Sequence, residues 1–106
     1  MSKYLIQASC TTEGLRGLLK EGGSKRREAI KRAIEDIGIK LEAFYFAFGE
    51  NDVYNIVDAP DNISITAYSL AVNASGAVHI RTVVLLTPEE VDQAAKKRAS
   101  YRPPGQ

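Results

Sequence analysis

The sequence predicts an α+β fold, and three observations lead to that class. Four segments alternate apolar and polar side chains as half-buried strands do, and two longer segments repeat apolar residues at helical spacing. These segments follow one another as β-α-β-β-α-β, with a short helix after the last strand. At 106 residues, 44% of them hydrophobic and 25% charged, the chain has the composition of an ordinary globular protein. We therefore expect one domain that spans residues 1–106.

The first half of the chain is predicted to hold one strand and one main helix. Residues 3–10 alternate, and the glycine-broken stretch TTEGLRGLLKEGG is compatible with one or two helical turns. Ser24 is the expected N-cap of the main helix, and Gly38 suits the left-handed turn that ends it. The apolar residues of that helix are Ala29, Ile30, Ala33, Ile34 and Ile37.

The second half is predicted to hold a hairpin, a helix and a last strand. Strands at residues 39–48 and 53–59 meet at a turn, Gly49-Glu50-Asn51-Asp52, whose residue types tolerate tight backbone angles. A second main helix runs from Asn62 to about Ala74, and residues 77–86 form the last strand. The stripe expected to be buried on this helix is Ile63, Ala67, Leu70, Ala71 and Ala74.

A third, short helix is predicted after the last strand. Thr87 and Glu90 form a capping box around Pro88, which is at home in the first turn of a helix. The following SYRPPGQ cannot continue a helix beyond Arg102 and is expected to run extended over a surface.

The order of elements predicts a ferredoxin-like, four-stranded antiparallel sheet with both main helices on one face. The other face is then bare. Apolar side chains would stand on it, namely Leu5, Val83 and Leu85, with either Phe44, Phe46 and Phe48 or Leu41, Ala43, Tyr45 and Ala47 from the second strand. A contiguous apolar face normally marks an interface, so we expect a second copy to cover it as a homodimer. A trimer or higher oligomer through strand edges is the alternative.

Charge and motifs exclude several classes of protein. The formal net charge of +1 argues against a dedicated nucleic-acid binder, and no apolar run is long enough to span a membrane. The single cysteine permits no internal disulfide, which favours the reducing cytoplasm. One histidine and one cysteine make no metal site, and no phosphate-binding loop or dinucleotide fingerprint is present. We expect neither a metal nor a cofactor.

Several stretches together resemble the GYD-domain proteins of bacteria and archaea. They are KYLIQASCTTEGLRGLLKEGG, KLEAFYFAFGENDVYNIVDAPDN, SLAVNASGAV, TVVLLTPEEVDQAAKK and the ending YRPPG. The resemblance covers nearly the whole chain and implies a ferredoxin-like fold akin to the oligomeric α+β barrel proteins. Gly49 and Asp52 match the naming motif of the family, whereas Asn51 stands where its relatives tend to carry tyrosine.

Polar residues on the strands are the best candidates for a binding site. They are Gln7, Ser9, Tyr45, Asn55, His79 and Arg81. If the register brings them to one face, they form a small-molecule pocket with apolar walls. His79 would then exchange protons near neutral pH, and Arg81 would hold a carboxylate or an oxyanion. The alternative is that these groups only hydrogen-bond across an interface between subunits.

Three further features have structural explanations that compete with functional ones. Cys10 is interpreted as a small packed apolar residue rather than a nucleophile. Asp52 is interpreted as a turn former rather than a general base. Gly22-Gly23-Ser24, followed by Lys25, Arg26 and Arg27, is interpreted as a loop and helix cap rather than an anion site.

Three functions follow as hypotheses. The first is a small-molecule-binding homo-oligomer. The second is a cofactor-independent oxygenase or isomerase, suggested by the likeness to α+β barrel proteins. The third is a purely structural assembly whose buried polar groups fix the register.

Overall fold

The computed structural model describes residues 2–47 and 49–106. Its elements in chain order are β1 (Ser2–Cys10), α1 (Thr12–Glu21), α2 (Gly23–Glu35), β2 (Lys40–Phe46), β3 (Val53–Ala59), α3 (Asn62–Ala74), β4 (Val78–Leu85) and α4 (Pro88–Lys96). The expected α+β class is confirmed. The bounds of β3 and α3 agree with the prediction.

The sheet contains four strands in the order β2-β3-β1-β4, and all three neighbouring pairs are antiparallel. The two β-α-β connections interleave, because β3 lies between β1 and β2 and β1 lies between β3 and β4. The first connection carries two helices, α1 and α2, and α4 follows β4. The described part of the chain therefore holds the two main helices and the short last helix that were predicted, together with α1 as a helix of its own.

The hydrophobic core lies between the helices and one face of the sheet. That face, the helix side, carries alternate residues of β1 and β3, and α2 and α3 pack on it through Ile34, Ile65 and Tyr68. Burying an aliphatic side chain of this size contributes about 1.5–3 kcal/mol. The buried apolar residues are Tyr4, Ile6, Ala8, Ile34, Ile39, Val53, Val57, Ala59, Ile65 and Tyr68.

The predicted buried stripe of α3 is wrong. Ile63 is 81% exposed and Leu70 is 66% exposed, whereas Ile65 and Tyr68 are buried. The two stripes differ by a rotation about the helix axis. The observed one places the large aromatic ring of Tyr68 against the sheet, which removes more apolar surface from water than Leu70 would.

The start of the chain's main helix also differs from the prediction. The α2 helix begins at Gly23 with Gly22 as its N-cap, and no side chain caps it, so Ser24 lies inside the first turn. Its end agrees with the prediction, since Gly38 has a φ of 80° and the N–H of Ile39 donates to the carbonyl of Ile34 at 2.9 Å. The α1 segment is a full helix of 10 residues, longer than the one or two turns expected.

A β-bulge in β2 breaks the predicted alternation. The register between β2 and β3 shifts between Leu41 and Ala43, so Glu42 is the extra residue. Leu41 therefore joins the helix side with Phe44, while Ala43 and Tyr45 stay on the opposite face. Phe48, which the prediction grouped with the other phenylalanines, lies outside the described residues.

The face of the sheet away from the helices, here called the open face, is built of cross-strand rows. The central, apolar row is Ala43–Ile56–Leu5–Val83. On one side of it runs a polar row, Tyr45–Tyr54–Gln7–Arg81. On the other side, Lys40–Asp58–Lys3–Leu85 forms a charged row in which Lys3 pairs with Asp58 at 3.3 Å and also with Glu42. Leu5, Val83 and Leu85 lie on this face as expected, but the face is apolar only in part.

The segment after β4, here called the α4 arm (residues 86–106), extends away from the sheet. The predicted capping box of Thr87 and Glu90 is present and starts α4 at Pro88. Every residue from 88 to 106 is exposed, so the tail covers no surface of the described chain. The protein measures 57 × 32 × 22 Å, and its radius of gyration of 16.9 Å exceeds the value of about 13 Å typical of this chain length.

Candidate functional site

The polar residues predicted to form a site divide between the two faces of the sheet. Gln7 faces Arg81 and Ser9 faces His79 across β1 and β4, and Tyr45 lies in the same polar row. Asn55 points to the helix side, so the grouping is wrong for that residue. Tyr45, His79 and Arg81 are exposed.

The turn between β2 and β3 is tied to the end of β1. The carboxylate of Asp52 accepts a hydrogen bond from the backbone N–H of Cys10 at 2.8 Å, and the backbone N–H of Asp52 donates to the carbonyl of Ala8 at 2.8 Å. Ser9 Oγ donates to Asn51 Oδ1 at 3.2 Å, and Asn51 Nδ2 donates to the hydroxyl of Tyr54 at 3.2 Å. These contacts give Asp52 a structural task, in agreement with its interpretation as a turn former.

A cavity of about 670 Å³, here called the helix-side cavity, lies between the sheet and α1, α2 and α3. Its walls are mainly aliphatic and aromatic, and α1 contributes the small residues Gly14 and Gly17 together with Leu18. The other apolar side chains that line it are Ile6, Ala8, Ile30, Ala33, Ile37, Phe44, Phe46, Val53, Ala67, Ala71, Val72, Ala77, Val78 and Ile80. The volume is within the range of small-molecule pockets.

Asn55 supplies the most unusual polar group of the cavity. Its side chain is only 4% exposed, and its Oδ1 has no hydrogen-bond partner in the described part of the chain. On the helix side, Asn55 stands between Ile6 of β1 and Phe44 of β2 in the strand register. A buried carbonyl oxygen without a donor costs about 1–3 kcal/mol, so its presence here requires an explanation.

Three further polar groups reach the cavity from different elements: Cys10 at the end of β1, Arg26 on α2 and Tyr68 on α3. Burial raises the pKa of the Tyr68 phenol, and the Arg26 guanidinium opposes that shift. Burial, followed by the Asp52 carboxylate, raises the pKa of the Cys10 thiol, again against Arg26. At neutral pH both groups are therefore protonated, and each can donate a hydrogen bond to a ligand.

The mouth of the cavity is charged. Arg26 Nη1 lies 3.7 Å from Glu21 Oε2, and Glu13 also lines the rim. Both members of the Arg26–Glu21 pair keep contact with solvent, so their interaction contributes little stability and does not prevent either from turning to a ligand. A polar rim around an apolar interior suits a ligand with a mainly apolar body.

Alternation alone contained the signal for Asn55. In β3 it shares its parity with the apolar residues Val53, Val57 and Ala59, which marks it as an interior polar residue. The placement of Arg26 depends on how the helices cross the sheet, and no pattern in the sequence indicates it.

Two searches of the described residues, one for a metal site and one for a membrane-spanning helix, gave negative results. No group of three or more histidine, cysteine, aspartate or glutamate side chains lies close enough to hold a metal ion within residues 2–47 and 49–106. Over the same ranges, no helix is both long and apolar enough to cross a membrane.

Comparison with known proteins gives one match. The model of the family described as GYD domain matches residues 4–95, which include β2, β3 and β4 in full and most of β1 and α4. Searches of curated proteins and of solved structures found no match.

Proposed function

The chain belongs to the GYD domain family, and on that premise we propose that it is a small-molecule-binding homo-oligomer whose ligand occupies the helix-side cavity. The interleaved β-α-β connections support a ferredoxin-like relationship, with α1 and α4 as additions. The single free thiol of Cys10 supports a cytoplasmic setting.

The observation that carries the binding proposal is the unpartnered Oδ1 of Asn55 inside the helix-side cavity. A ligand that donates a hydrogen bond to this oxygen would remove the desolvation penalty that the empty site bears. The Tyr68 hydroxyl offers a donor on the opposite wall, from α3. The ligand of this proposal is therefore largely apolar and carries a hydroxyl or N–H donor at its buried end.

The protonation of the polar groups in the cavity favours a binding function over a catalytic one. Cys10 and Tyr68 both have raised pKa values, which suppresses the thiolate and the phenolate. The residues to which the sequence assigned catalytic roles, His79 and Arg81, stand on the open face and not in the cavity. A purely structural assembly is disfavoured because it offers no reason to retain an unpaired amide in the core.

Self-association is proposed through the open face. Leu5, Ile56 and Val83 form a continuous apolar row there, flanked by a polar row and a charged row that fix the orientation of a second copy. We expect light scattering at micromolar concentration to give the mass of an oligomer, and Leu5→Lys to give that of a monomer. A wild-type monomer under these conditions would overturn this part of the proposal.

The binding proposal is tested by two matched substitutions on opposite faces of the sheet. Thermal-shift screening with aromatic acids, lactones and nucleotides identifies ligands of the wild-type protein. Asn55→Leu removes the amide from the cavity at nearly constant volume, and Gln7→Met does the same on the open face. We expect Asn55→Leu to abolish the thermal shift and Gln7→Met to retain it.

The opposite result would place the site on the open face and make the cavity a packing defect. A loss in both variants, with native circular dichroism, would show that the ligand depends on assembly rather than on either amide. No hit in a broad library would favour the structural alternative.

A further inference from the structure

The α4 arm carries an amphipathic helix that packs against no other described element. Val91, Ala94 and Ala95 follow one another at i, i+3 and i+4 and form an apolar stripe, yet Val91 is 51% exposed. An isolated helix of 9 residues is not stable in water even when it is well capped. The arm therefore needs a surface that its own chain, over the described residues, does not provide.

A groove of about 390 Å³ between α3 and β4 carries exposed apolar side chains of the kind that such a stripe needs to contact. Its floor includes Tyr4 and Ile65, while Leu70 and Val84 stand at its sides 66% and 59% exposed. The remaining lining residues are polar: Asn62, Thr66, Ser69, Asn73 and Thr82. Large apolar side chains at this level of exposure on both walls of one groove are typical of a docking site for a helix.

We propose that the α4 arm of one copy seats its apolar stripe in the groove between α3 and β4 of a second copy. The proposal rests on the homo-oligomer proposed above. Alanine at two of the three stripe positions lets the helix backbone approach closely, and Val91 supplies the side chain that meets Leu70 and Val84. An exchange of identical elements between copies is a common route to dimers.

The size of the open face argues that such an additional contact is needed. Four strands spaced about 4.8 Å apart and about 25 Å long present a face of roughly 480 Å². Two such faces bury on the order of 1,000 Å², which is below the roughly 1,200–2,000 Å² of stable interfaces, and only the central row is apolar. The arms, exposed along their whole length, supply the missing area.

Substitutions that place opposite charges on the α4 arm and in the groove test the proposal. Val91→Glu and Leu70→Lys are each expected to weaken self-association at least tenfold in sedimentation equilibrium. An equimolar mixture of the two variants is expected to regain it, because glutamate in one arm then meets lysine in the groove of the other copy. Leu19→Lys, which charges an even more exposed leucine on α1, is the control and should leave association unchanged.

A second measurement identifies the occupant of the groove. In a mixture of isotope-labelled and unlabelled protein, intermolecular contacts are expected between the Val91 methyl groups and the side chains of Leu70 and Val84. Contacts found only within one chain would overturn the exchange, since the arm would then fold back on its own groove.

The outcomes separate this inference from the proposed function. If the wild-type protein is an oligomer and Val91→Glu associates as tightly as Leu19→Lys, the arm contact is wrong while the open-face interface stands. If the wild-type protein is a monomer, the homo-oligomer fails and the arm contact fails with it. Ligand binding in the helix-side cavity is measured separately in each variant, and we expect it to be unchanged.

Discussion

The carboxylate of Asp52 lies 2.8 Å from the backbone nitrogen of Cys10 and accepts its hydrogen bond. The same residue donates its backbone N–H to Ala8 and accepts at its carbonyl from Ala47, both at 2.8 Å. Asp52 thus joins the β2–β3 turn to the end of β1. Without this carboxylate the β2–β3 turn would lose its side-chain hydrogen bond to β1.

Replacing Asp52 is expected to destabilise the fold. Asp52→Ala leaves the N–H of Cys10 without its acceptor and should lower the free energy of unfolding by about 1–3 kcal/mol in urea titrations. Asp52→Asn keeps a neutral acceptor and should lose less. Glu50→Ala, in the same turn, should change stability by less than about 0.5 kcal/mol. Equal effects of Asp52→Ala and Glu50→Ala would refute the anchoring role.

Asn55 is predicted to lower the stability of the unliganded protein. Asn55→Leu removes the unpartnered amide and should raise the free energy of unfolding by about 1 kcal/mol or more. Asn55→Asp has the same shape but buries a carboxylate, so it should destabilise at neutral pH and recover as the group is protonated in acid. Denaturant titrations at two pH values measure both effects. A loss of stability in Asn55→Leu would show that the amide is satisfied in solution.

Replacing either of two glycines of α1 by alanine is predicted to change the stability of the protein, and the two changes have opposite signs. A Cβ at Gly14 would lie 2.1 Å from the carbonyl oxygen of Ala77, so Gly14→Ala must displace α1 from the sheet and destabilise the protein. A Cβ at Gly17 meets no other atom within 4 Å. Gly17→Ala should therefore stabilise the helix by about 0.5–1 kcal/mol. Thermal unfolding of both variants tests the pair, and a common direction would show that α1 is not docked at Ala77.

The N-cap of α3 is predicted to make stability depend on pH in acid. Asp61 accepts a hydrogen bond from the N–H of Ser64 at 2.8 Å, and that bond lowers the pKa of the Asp61 carboxyl from its ordinary value of 3.8. Because the folded pKa is the lower one, the stabilisation is complete above 3.8 and is lost as the pH falls through the folded pKa. Urea titrations below pH 4 should show a flatter pH dependence for Asp61→Asn than for the wild-type protein. Identical slopes would exclude the cap as a source of acid sensitivity.

Local patterns predicted most of the fold. The alternation and bounds of β3, the capping box of α4 and the glycine turn at Gly38 depend on residues close in sequence, so each was visible in the chain. The rotation of α3 was missed because Ile65 and Tyr68 compete with Ile63 and Leu70 for the sheet, and only tertiary packing decides between them. The bulge at Glu42 was missed because one inserted residue leaves the surrounding pattern almost unchanged.

The candidate site was less accessible to sequence reasoning than the fold. Parity along each strand correctly grouped Gln7 with Ser9 and His79 with Arg81, and the register then placed them on one face. The grouping of the polar residues did not use the parity that Asn55 shares with the apolar residues of β3, so Asn55 was placed with side chains of the opposite face. The cavity itself arises from the spacing of three helices above the sheet, a long-range property.

The strand register places adjacent residues of β3 on opposite faces of the sheet. Tyr54 and Ile56 lie on the open face, whereas Asn55, between them in sequence, lines the helix-side cavity. A substitution at one of these positions therefore alters one face of β3 and leaves the other face unchanged. Insertion of a single residue before β3 would instead turn every side chain of this strand to the opposite face. Apolar residues would then lie on the open face and polar residues in the helix-side cavity.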